Sequence, residues 1–177
     1  RYIAGAVHIN RNVASDEMVK YALQSLGHAT RDASRIVIGY FSGSITHNED
    51  FKLVLPSIIR LLKENTNLYL KIVGDLDIPE ELRPFSDRIL NIEFMDWHKM
   101  PIEIAGCDIN IAPLVDTIFN EAKSENKWME AALVKVPTAA SNLGAFSHAI
   151  TDNLDGLLVD DDGWYDALGR LINDTKL

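Results

Sequence analysis

Four polar residues between positions 123 and 130 have the types and the spacing of a site that holds an anion. The segment 119–133, FNEAKSENKWMEAAL, places Lys123, Ser124 and Lys127 at the start of a predicted helix and Glu130 one turn later. The first N–H groups of a helix have no intrahelical acceptor and carry partial positive charge, so the chain's own cations are not favoured there. Two lysines at this position indicate that a negative ligand, such as a diphosphate, supplies the missing anion.

The same residues also allow a structural interpretation, and the spacing alone leaves both open. Lys123 and Lys127 could be solvated surface lysines paired with Glu121 and Glu125. Glu130 lies at the edge of an apolar helical run, where its carboxylate could extend to solvent or accept hydrogen bonds from a ligand diol. Charge-assisted hydrogen bonds contribute roughly 1.5–3 kcal/mol each, so the two lysines together could hold a diphosphate.

A second candidate site is the loop GYFSGSITHNED, Gly39 to Asp50, which follows the first predicted strand. Gly43 and Ser44 are small residues that let the backbone turn sharply and present N–H groups to an anion. His47 could donate to a phosphate or a sugar hydroxyl, whereas we interpret Asp50 as the N-cap or first-turn acid of the next helix. The patterns GxxxxGK[ST] and GxGxxG are both absent, so an ordinary strand-to-helix turn is the alternative.

The stretch VDDDGW, Val159 to Trp164, contains an Asp-x-Asp pattern that could suggest a metal site. It lies directly before the last predicted helix, where acids commonly cap free N–H groups, and no further carboxylate or His stands at ligand spacing. We therefore predict no metal here.

Apolar runs alternate with helical patterns along the chain, and this alternation predicts the fold. The predicted strands are Ile36 to Phe41, Leu68 to Val73, Ile89 to Phe94, Asp108 to Ala112, Pro137 to Ser141 and Gly156 to Val159. The predicted helices are Asp16 to Leu26, Phe51 to Leu62 with a kink or an early turn at Pro56, Pro101 to Gly106, Glu125 to Val134 and Trp164 to Asn173. Strands that are apolar on both faces and alternate with helices indicate an α/β, Rossmann-like, doubly wound domain. We expect a mostly parallel six-stranded sheet with helices on both faces.

Composition excludes several classes of protein. With 26 acidic and 17 basic side chains the formal charge is -9, which disfavours nucleic-acid binding. The single Cys107 excludes a disulfide framework and fits a reducing compartment, and no apolar run approaches the roughly 20 residues that span a bilayer. We expect one domain over residues 13–177. Residues 1–12 would belong to an upstream or interdomain region, YIAGAVHIN could be a strand, and the initial Arg suggests that the native N-terminus lies upstream.

Taken in order, these segments resemble the C-terminal, donor-binding domain of retaining GT-B glycosyltransferases, the group one or family four class. The resemblance runs from about Asn12 to the end of the chain. It rests on the segments NRNVASDEMVKYA, IGYFSGSITHNEDF, LKIVGDLDIPEEL, RILNIEFMDWHKMPIEIAGCDINIAPL, FNEAKSENKWMEAALVKVPTAASNLGAF and NLDGLLVDDDGWYDALGRLI.

The resemblance implies which residues hold a nucleotide diphospho-sugar. Glu130 corresponds to the second Glu of the family's E-x7-E motif, which holds the ribose hydroxyls. Asn126 and Lys127 fall where backbone N–H groups meet phosphate, and the base would lie against Met95 to Trp97, which includes Asp96. The candidate nucleotide-sugar-binding residues are Gly43, Ser44, His47, Asp96, Trp97, Lys123, Ser124, Asn126, Lys127 and Glu130, with no catalytic residue identified.

The resemblance also implies an activity. A glycosyl group would pass, with retention and without metal or cofactor, to an acceptor held by a missing N-terminal domain, in the synthesis of a cell-surface polysaccharide or glycoconjugate. The fragment alone would be inactive. We expect a cytoplasmic location, and the resemblance leaves open an association with the inner membrane face through the missing part.

Two departures from the family pattern support a rival interpretation. The first Glu of the motif is replaced by Ala122, with Glu121 one residue out of register, and the Arg and Lys of the first loop are replaced by Ser44 and Glu49. A degenerate, non-catalytic binding or scaffold domain of the same fold would fit these losses. A third possibility is a sugar-nucleotide epimerase of the same fold, although no catalytic carboxylates for it are apparent.

Overall fold

The computed structural model describes His8, residues 10–43 and residues 48–173, and its centre is a parallel six-stranded sheet. The strands are β1 (Ile36–Ser42), β2 (Leu68–Gly74), β3 (Ile89–Ile92), β4 (Ile109–Ala112), β5 (Thr138–Ser141) and β6 (Leu157–Val159). Each of these strands was predicted, with ends that differ by one or two residues. The possible strand near the N-terminus falls mainly on residues outside those described.

Seven α-helices are described in the same residues. They are α1 (Asp16–Leu26), α2 (Asn48–Glu64), α3 (Met100–Ala105), α4 (Ile118–Glu121), α5 (Asn126–Leu133), α6 (Phe146–Ala149) and α7 (Trp164–Asn173), with 3₁₀ turns at Glu80–Arg88 and Trp97–Lys99. The five predicted helices are confirmed. The sequence did not predict α4, α6 or the short turn Trp97–Lys99, because segments of four residues or fewer carry no readable period. It also did not predict the 3₁₀ segment Glu80–Arg88, which contains Pro84 and has non-helical dihedral angles at Phe85. Of the two alternatives predicted for Pro56, an early turn is excluded because Pro56 lies inside α2, and a kink stays a prediction.

Helices cover both faces of the sheet. Helices α2 and α7 pack on one face around the fully buried Tyr40, Phe51 and Trp164. Helices α1, α3 and α5 pack on the other face, where the core includes Ile104 and Val134. This arrangement confirms the doubly wound α/β fold. None of the helices in the described part of the chain combines the length and apolar character needed to cross a bilayer.

The strand order β3-β2-β1-β4-β5-β6 reverses direction at β1. From there the chain first builds outwards through β2 and β3, and then returns to add β4 on the other side of β1. Loops that leave the carboxyl ends of β1 and β4 must therefore diverge, which opens a crevice between them. In open parallel sheets this crevice is the usual place for a ligand.

Gly74 is the last residue of β2 and pairs with Ser42, the last residue of β1, at the carboxyl edge of the sheet. Its φ is +98°, and a Cβ at this position would stand 1.9 Å from the carbonyl oxygen of Ser42. The Ser42 hydroxyl in turn donates to the carbonyl oxygen of Asp75 at 2.6 Å. The ends of β1 and β2 can meet this closely only because residue 74 has no side chain.

We expect Gly74→Ala to destabilise the fold by at least about 2 kcal/mol, because strained backbone and a steric clash with Ser42 add together. The matched control is Gly169→Ala in α7, where a Cβ would meet nothing within 4 Å and where Ala favours the helix by about 0.5–1 kcal/mol. Urea unfolding of the three proteins measures both effects. Equal stabilities for the two variants would contradict the close approach at Gly74.

Candidate functional site

Asp50 is a buried carboxylate, 2% exposed, that joins separate segments at the carboxyl edge of the sheet. Its Oδ1 accepts hydrogen bonds from the backbone N–H of Val115 at 3.0 Å and from Asn120 Nδ2 at 2.7 Å. Its Oδ2 lies 3.0 Å from Lys123 Nζ. The first turn of α2 is thereby bound to the loop after β4, to α4 and to the segment before α5. The first-turn position of Asp50 agrees with the sequence interpretation, but this cross-linking role was not predicted.

Asn110 links helix α5 to the sheet by hydrogen bonds. It is 1% exposed in β4, and its Nδ2 donates to the carbonyl oxygen of Lys127 at 3.1 Å and to Thr138 Oγ1 at 3.0 Å. Nearby, the backbone N–H of Leu114 donates to Ser141 Oγ at 2.8 Å. Sequence reasoning missed Asn110, although a polar residue inside the apolar strand DINIA was a usable signal.

The start of α5 has no acidic residue in its first turn, and its N-cap residue, Glu125, makes no capping hydrogen bond. Helix α1 differs, because Ser15 caps it and two acids occupy its first turn. The first N–H groups of α5 are therefore not capped by a side chain, although the Glu125 carboxylate lies at this helix end. Beside it lies a cavity of about 230 Å³, lined by Leu114, Lys123, Ser124, Asn126, Lys127 and Phe146. Lys123, Ser124, Asn126 and Lys127, four of the predicted binding residues, line this cavity. We call it the polar cavity because four of its six lining residues are polar.

The two lysines of the polar cavity have different surroundings. Lys123 forms the ion pair with Asp50, whereas Lys127 Nζ is buried and has no hydrogen-bond partner among the described residues. The Lys127 amine lies 4.7 Å from the centre of the Tyr40 ring. Burial lowers the pKa of Lys127 to about 8, with opposing contributions from Asp50 and Glu130 and a further lowering by Lys123.

Glu130 and Trp97 meet at a second cavity, of about 80 Å³ and mainly apolar. The cavity is lined by Met18, Ala22, Trp97, Met100, Pro101, Ile104, Glu130 and Leu133. Burial raises the pKa of Glu130, and the nearby Lys127 opposes this shift. Trp97 is 45% exposed, with its indole stacked on the His98 ring at 3.8 Å between centroids. Glu130, predicted to contact the ribose, and Trp97, one of the residues predicted to contact the base, therefore line one cavity, which we call the aromatic cavity.

Other predicted residues lie apart from these two cavities. The Asp96 side chain accepts a hydrogen bond from the backbone N–H of His98 at 2.9 Å and also contacts His98 Nδ1, and these bonds lower its pKa. Gly43 is exposed directly after β1. Ser44 and His47 lie outside the described residues, so their predicted roles stay predictions.

A third, larger cavity of about 480 Å³ adjoins the polar cavity, since both are lined by Lys123 and Ser124. Ala122, Glu121 and His148 also line it.

Within the described ranges no group of three or more His, Cys, Asp or Glu side chains could hold a metal ion. Asp160 belongs to the stretch Val159 to Trp164, for which we predicted no metal, and its Oδ1 accepts a hydrogen bond from Asn142 Nδ2 at 3.2 Å.

Comparison with known proteins identifies a family. The model described as "Glycosyl transferases group 1" matches residues 35–174. A comparison with curated proteins gave no match.

Solved structures show the same fold at low sequence identity. HepE from Anabaena, crystallised with UDP and glucose, is 17% identical with a TM-score of 0.64, and the match covers 92% of this chain and 44% of HepE. The C-terminal domain of LpcC, a group 1 glycosyl transferase from Francisella tularensis, is 20% identical with a TM-score of 0.63, covering 92% of this chain and 85% of that domain. The pneumococcal O-GlcNAc transferase GtfA, in complex with UDP and GlcNAc, is 14% identical with a TM-score of 0.63, and the match covers 81% of this chain and 30% of GtfA. The chain thus spans less than half of the length of HepE.

We expect Asp50→Asn to destabilise the fold by about 2–4 kcal/mol, because it removes the negative charge of the ion pair with the largely buried Lys123 while keeping an oxygen acceptor. Glu49→Gln is a matched control, since it also removes an acid from the first turn of α2 but breaks only an exposed pair with Lys52. Its effect should stay within about 1 kcal/mol. Urea midpoints at unchanged m-value report the difference, and similar losses in both variants would show that helix-end charge, rather than the buried pair, is what matters.

Proposed function

The chain belongs to the group 1 family of glycosyltransferases, and from this premise we propose that it is the donor-binding half of such an enzyme. It would hold a nucleotide diphospho-sugar from which a glycosyl group passes to an acceptor. One observation carries the proposal. Lys127 and Glu130, one turn apart on α5, line the polar cavity and the aromatic cavity respectively. A diphosphate, a ribose and a base are joined in this order in such a donor, and the two cavities offer a cation, a carboxylate and an aromatic ring in the same order.

Each part of the donor has a chemically suitable partner in this proposal. The base would lie on the exposed part of the Trp97 indole, and the ribose diol would donate hydrogen bonds to the Glu130 carboxylate. The diphosphate would accept hydrogen bonds from the N–H groups at the start of α5 and from Lys127. During transfer, negative charge develops on the departing nucleoside diphosphate, and fixed donors placed there stabilise it.

The acceptor would be held by a second domain facing the same edge of the sheet. Ile118 and Phe119 of α4 are neighbouring large apolar side chains that are 93% and 68% exposed, and the Phe119 ring lies 5.3 Å from Nζ of Lys123, which lines the polar cavity. Coverage of only 44% of HepE supports a further domain in the full protein. Retention of configuration, independence of metal and cofactor, a role in cell-surface polysaccharide or glycoconjugate synthesis, and a cytoplasmic location at or near the inner membrane face belong to this proposal.

A second candidate function is a non-catalytic binding or scaffold domain of the same family. It is favoured by Ala122, which lines the large cavity where the family motif has a Glu, and by the engagement of Lys123 with Asp50. Transfer assays on the full-length protein with its donor decide between the two. Tight donor binding without any turnover would favour the non-catalytic domain.

Calorimetric titration with a panel of nucleosides, nucleoside diphosphates and diphospho-sugars tests the proposed ligand class. We expect one base to be preferred, and its diphosphate to bind at least tenfold more tightly than its nucleoside, because charge-assisted bonds of about 1.5–3 kcal/mol are gained. No binding by any member of the panel, or equal affinity for nucleoside and diphosphate, would refute the assignment.

We expect Glu130→Gln to weaken binding of the preferred nucleoside diphosphate by roughly 1–3 kcal/mol, because the charged acceptor for the ribose diol is lost. A 2',3'-dideoxy nucleotide cannot donate those bonds, so parent and variant should bind it almost alike. Glu121→Gln, a nearby exposed change, is the control. A variant that keeps its circular dichroism spectrum but loses affinity for both nucleotides equally would rule out the ribose contact.

We also expect the isolated chain to bind a donor without transferring its sugar, because the proposed acceptor-binding domain is absent. Incubation with a radiolabelled diphospho-sugar and simple acceptors measures this. Labelled product above the hydrolysis background would show that the acceptor site lies within these residues.

A further inference from the structure

The side-chain amine of Lys127 has an environment that is unusual for a lysine, because it is shielded from solvent. Its Nζ is buried and finds no hydrogen-bond partner in the described part of the chain, although a lysine ammonium carries three donors. Burying an unpaired charge is unfavourable, so such a group tends to lose its proton instead. Its neighbour Lys123 avoids this penalty through the ion pair with Asp50.

The groups around the amine do not neutralise it. The Tyr40 ring of β1 lies 4.7 Å away and is itself uncharged, since burial raises its pKa. Asp50 of α2 already accepts hydrogen bonds from Val115 and Asn120 in addition to its ion pair with Lys123. Lys123 disfavours a proton on Lys127, whereas Glu130, which lies one turn further along α5 and lines the aromatic cavity, favours one.

We propose that binding of the diphospho-sugar is coupled to the uptake of a proton by Lys127. The inference rests on the proposed function, because it names how the same site accepts its ligand. The diphosphate enters the cavity beside α5, and its charge and acceptor oxygens supply the partners that the amine lacks. Lys127 is then fully protonated in the complex and contributes its hydrogen bonds only when the ligand is present.

The position of the proton equilibrium makes this coupling measurable. Burial lowers the pKa of Lys127 to about 8, so about half of the free protein carries a neutral amine at pH 8. A bound diphosphate favours the charged form and draws in the missing proton. At pH 6.5 nearly all of the free protein is already protonated, so uptake should almost vanish.

The probe is the diphospho-sugar preferred in the panel titration, because its two diester-linked phosphates do not titrate between pH 6 and 8. Calorimetry at pH 8 in HEPES and in Tris, whose ionisation enthalpies differ, counts the protons taken up per ligand. We expect about 0.5 proton at pH 8 and less than about 0.1 at pH 6.5, the latter measured in PIPES and Bis-Tris.

The variant Lys127→Met should bind about tenfold more weakly at pH 6.5 and should take up no proton at pH 8. Lys52→Met, which removes an exposed lysine of α2, is the control and should keep the parental uptake. Because Met at position 127 removes a buried unpaired amine, the variant should melt at a higher temperature than the parent. Lys127→Gln serves the same purpose if the Met variant does not fold.

The possible outcomes distinguish the proton coupling from the proposed function on which it rests. Uptake in the parent and in Lys52→Met, lost in the Lys127 variant, supports it. Tight binding without proton uptake at pH 8, or uptake that persists in the Lys127 variant, overturns the coupling but leaves the proposed function intact. Failure of every diphospho-sugar to bind at either pH overturns both.

Discussion

A buried carboxylate must find partners for its charge and for its lone pairs, and Asp50 finds them in segments far apart along the chain. Val115, Asn120 and Lys123 approach it from the loop after β4, from α4 and from the segment before α5. These contacts span the crevice where the strand order reverses. Because the wall of the crevice is built around one charge, the positions of α2, α4 and α5 are coupled at the point where a ligand is expected.

This arrangement also determines how charge is distributed around the candidate site. Asp50 engages Lys123, which leaves Lys127 as a buried amine without a hydrogen-bond partner among the described residues. The uncapped start of α5 adds partial positive charge beside it. On a chain with a formal charge of -9, attraction of an anion therefore depends on a small local region. The same helix carries Glu130 into a mainly apolar cavity, so residues one turn apart on α5 line two different cavities.

Period and residue type were sufficient to predict the strands and the longer helices, because buried parallel strands and amphipathic helices leave strong local patterns. The family was predicted from the resemblance of the ordered segments to known glycosyltransferases. Trp97 and Glu130 line the same cavity, and their roles as ligand contacts stay predictions. The role of Asp50 was not predictable, since its partners lie 65, 70 and 73 residues away in the chain. Nor could the sequence distinguish Lys123 from Lys127, which are identical side chains four residues apart and differ only in what the fold places beside them.

Nitrogen–proton correlation spectra of the labelled protein, recorded during titration with the preferred diphospho-sugar, test the central claim most directly. The chain has three Trp indole signals, and that of Trp164, which is 1% exposed in the core, is an internal control. We expect the Trp97 indole and the backbone amides of residues 124–127 to shift together with one affinity, while the Trp164 indole stays in place. Shifts confined to other residues, or unchanged signals at Trp97 and at the start of α5 under saturating ligand, would contradict a donor site built from the two cavities.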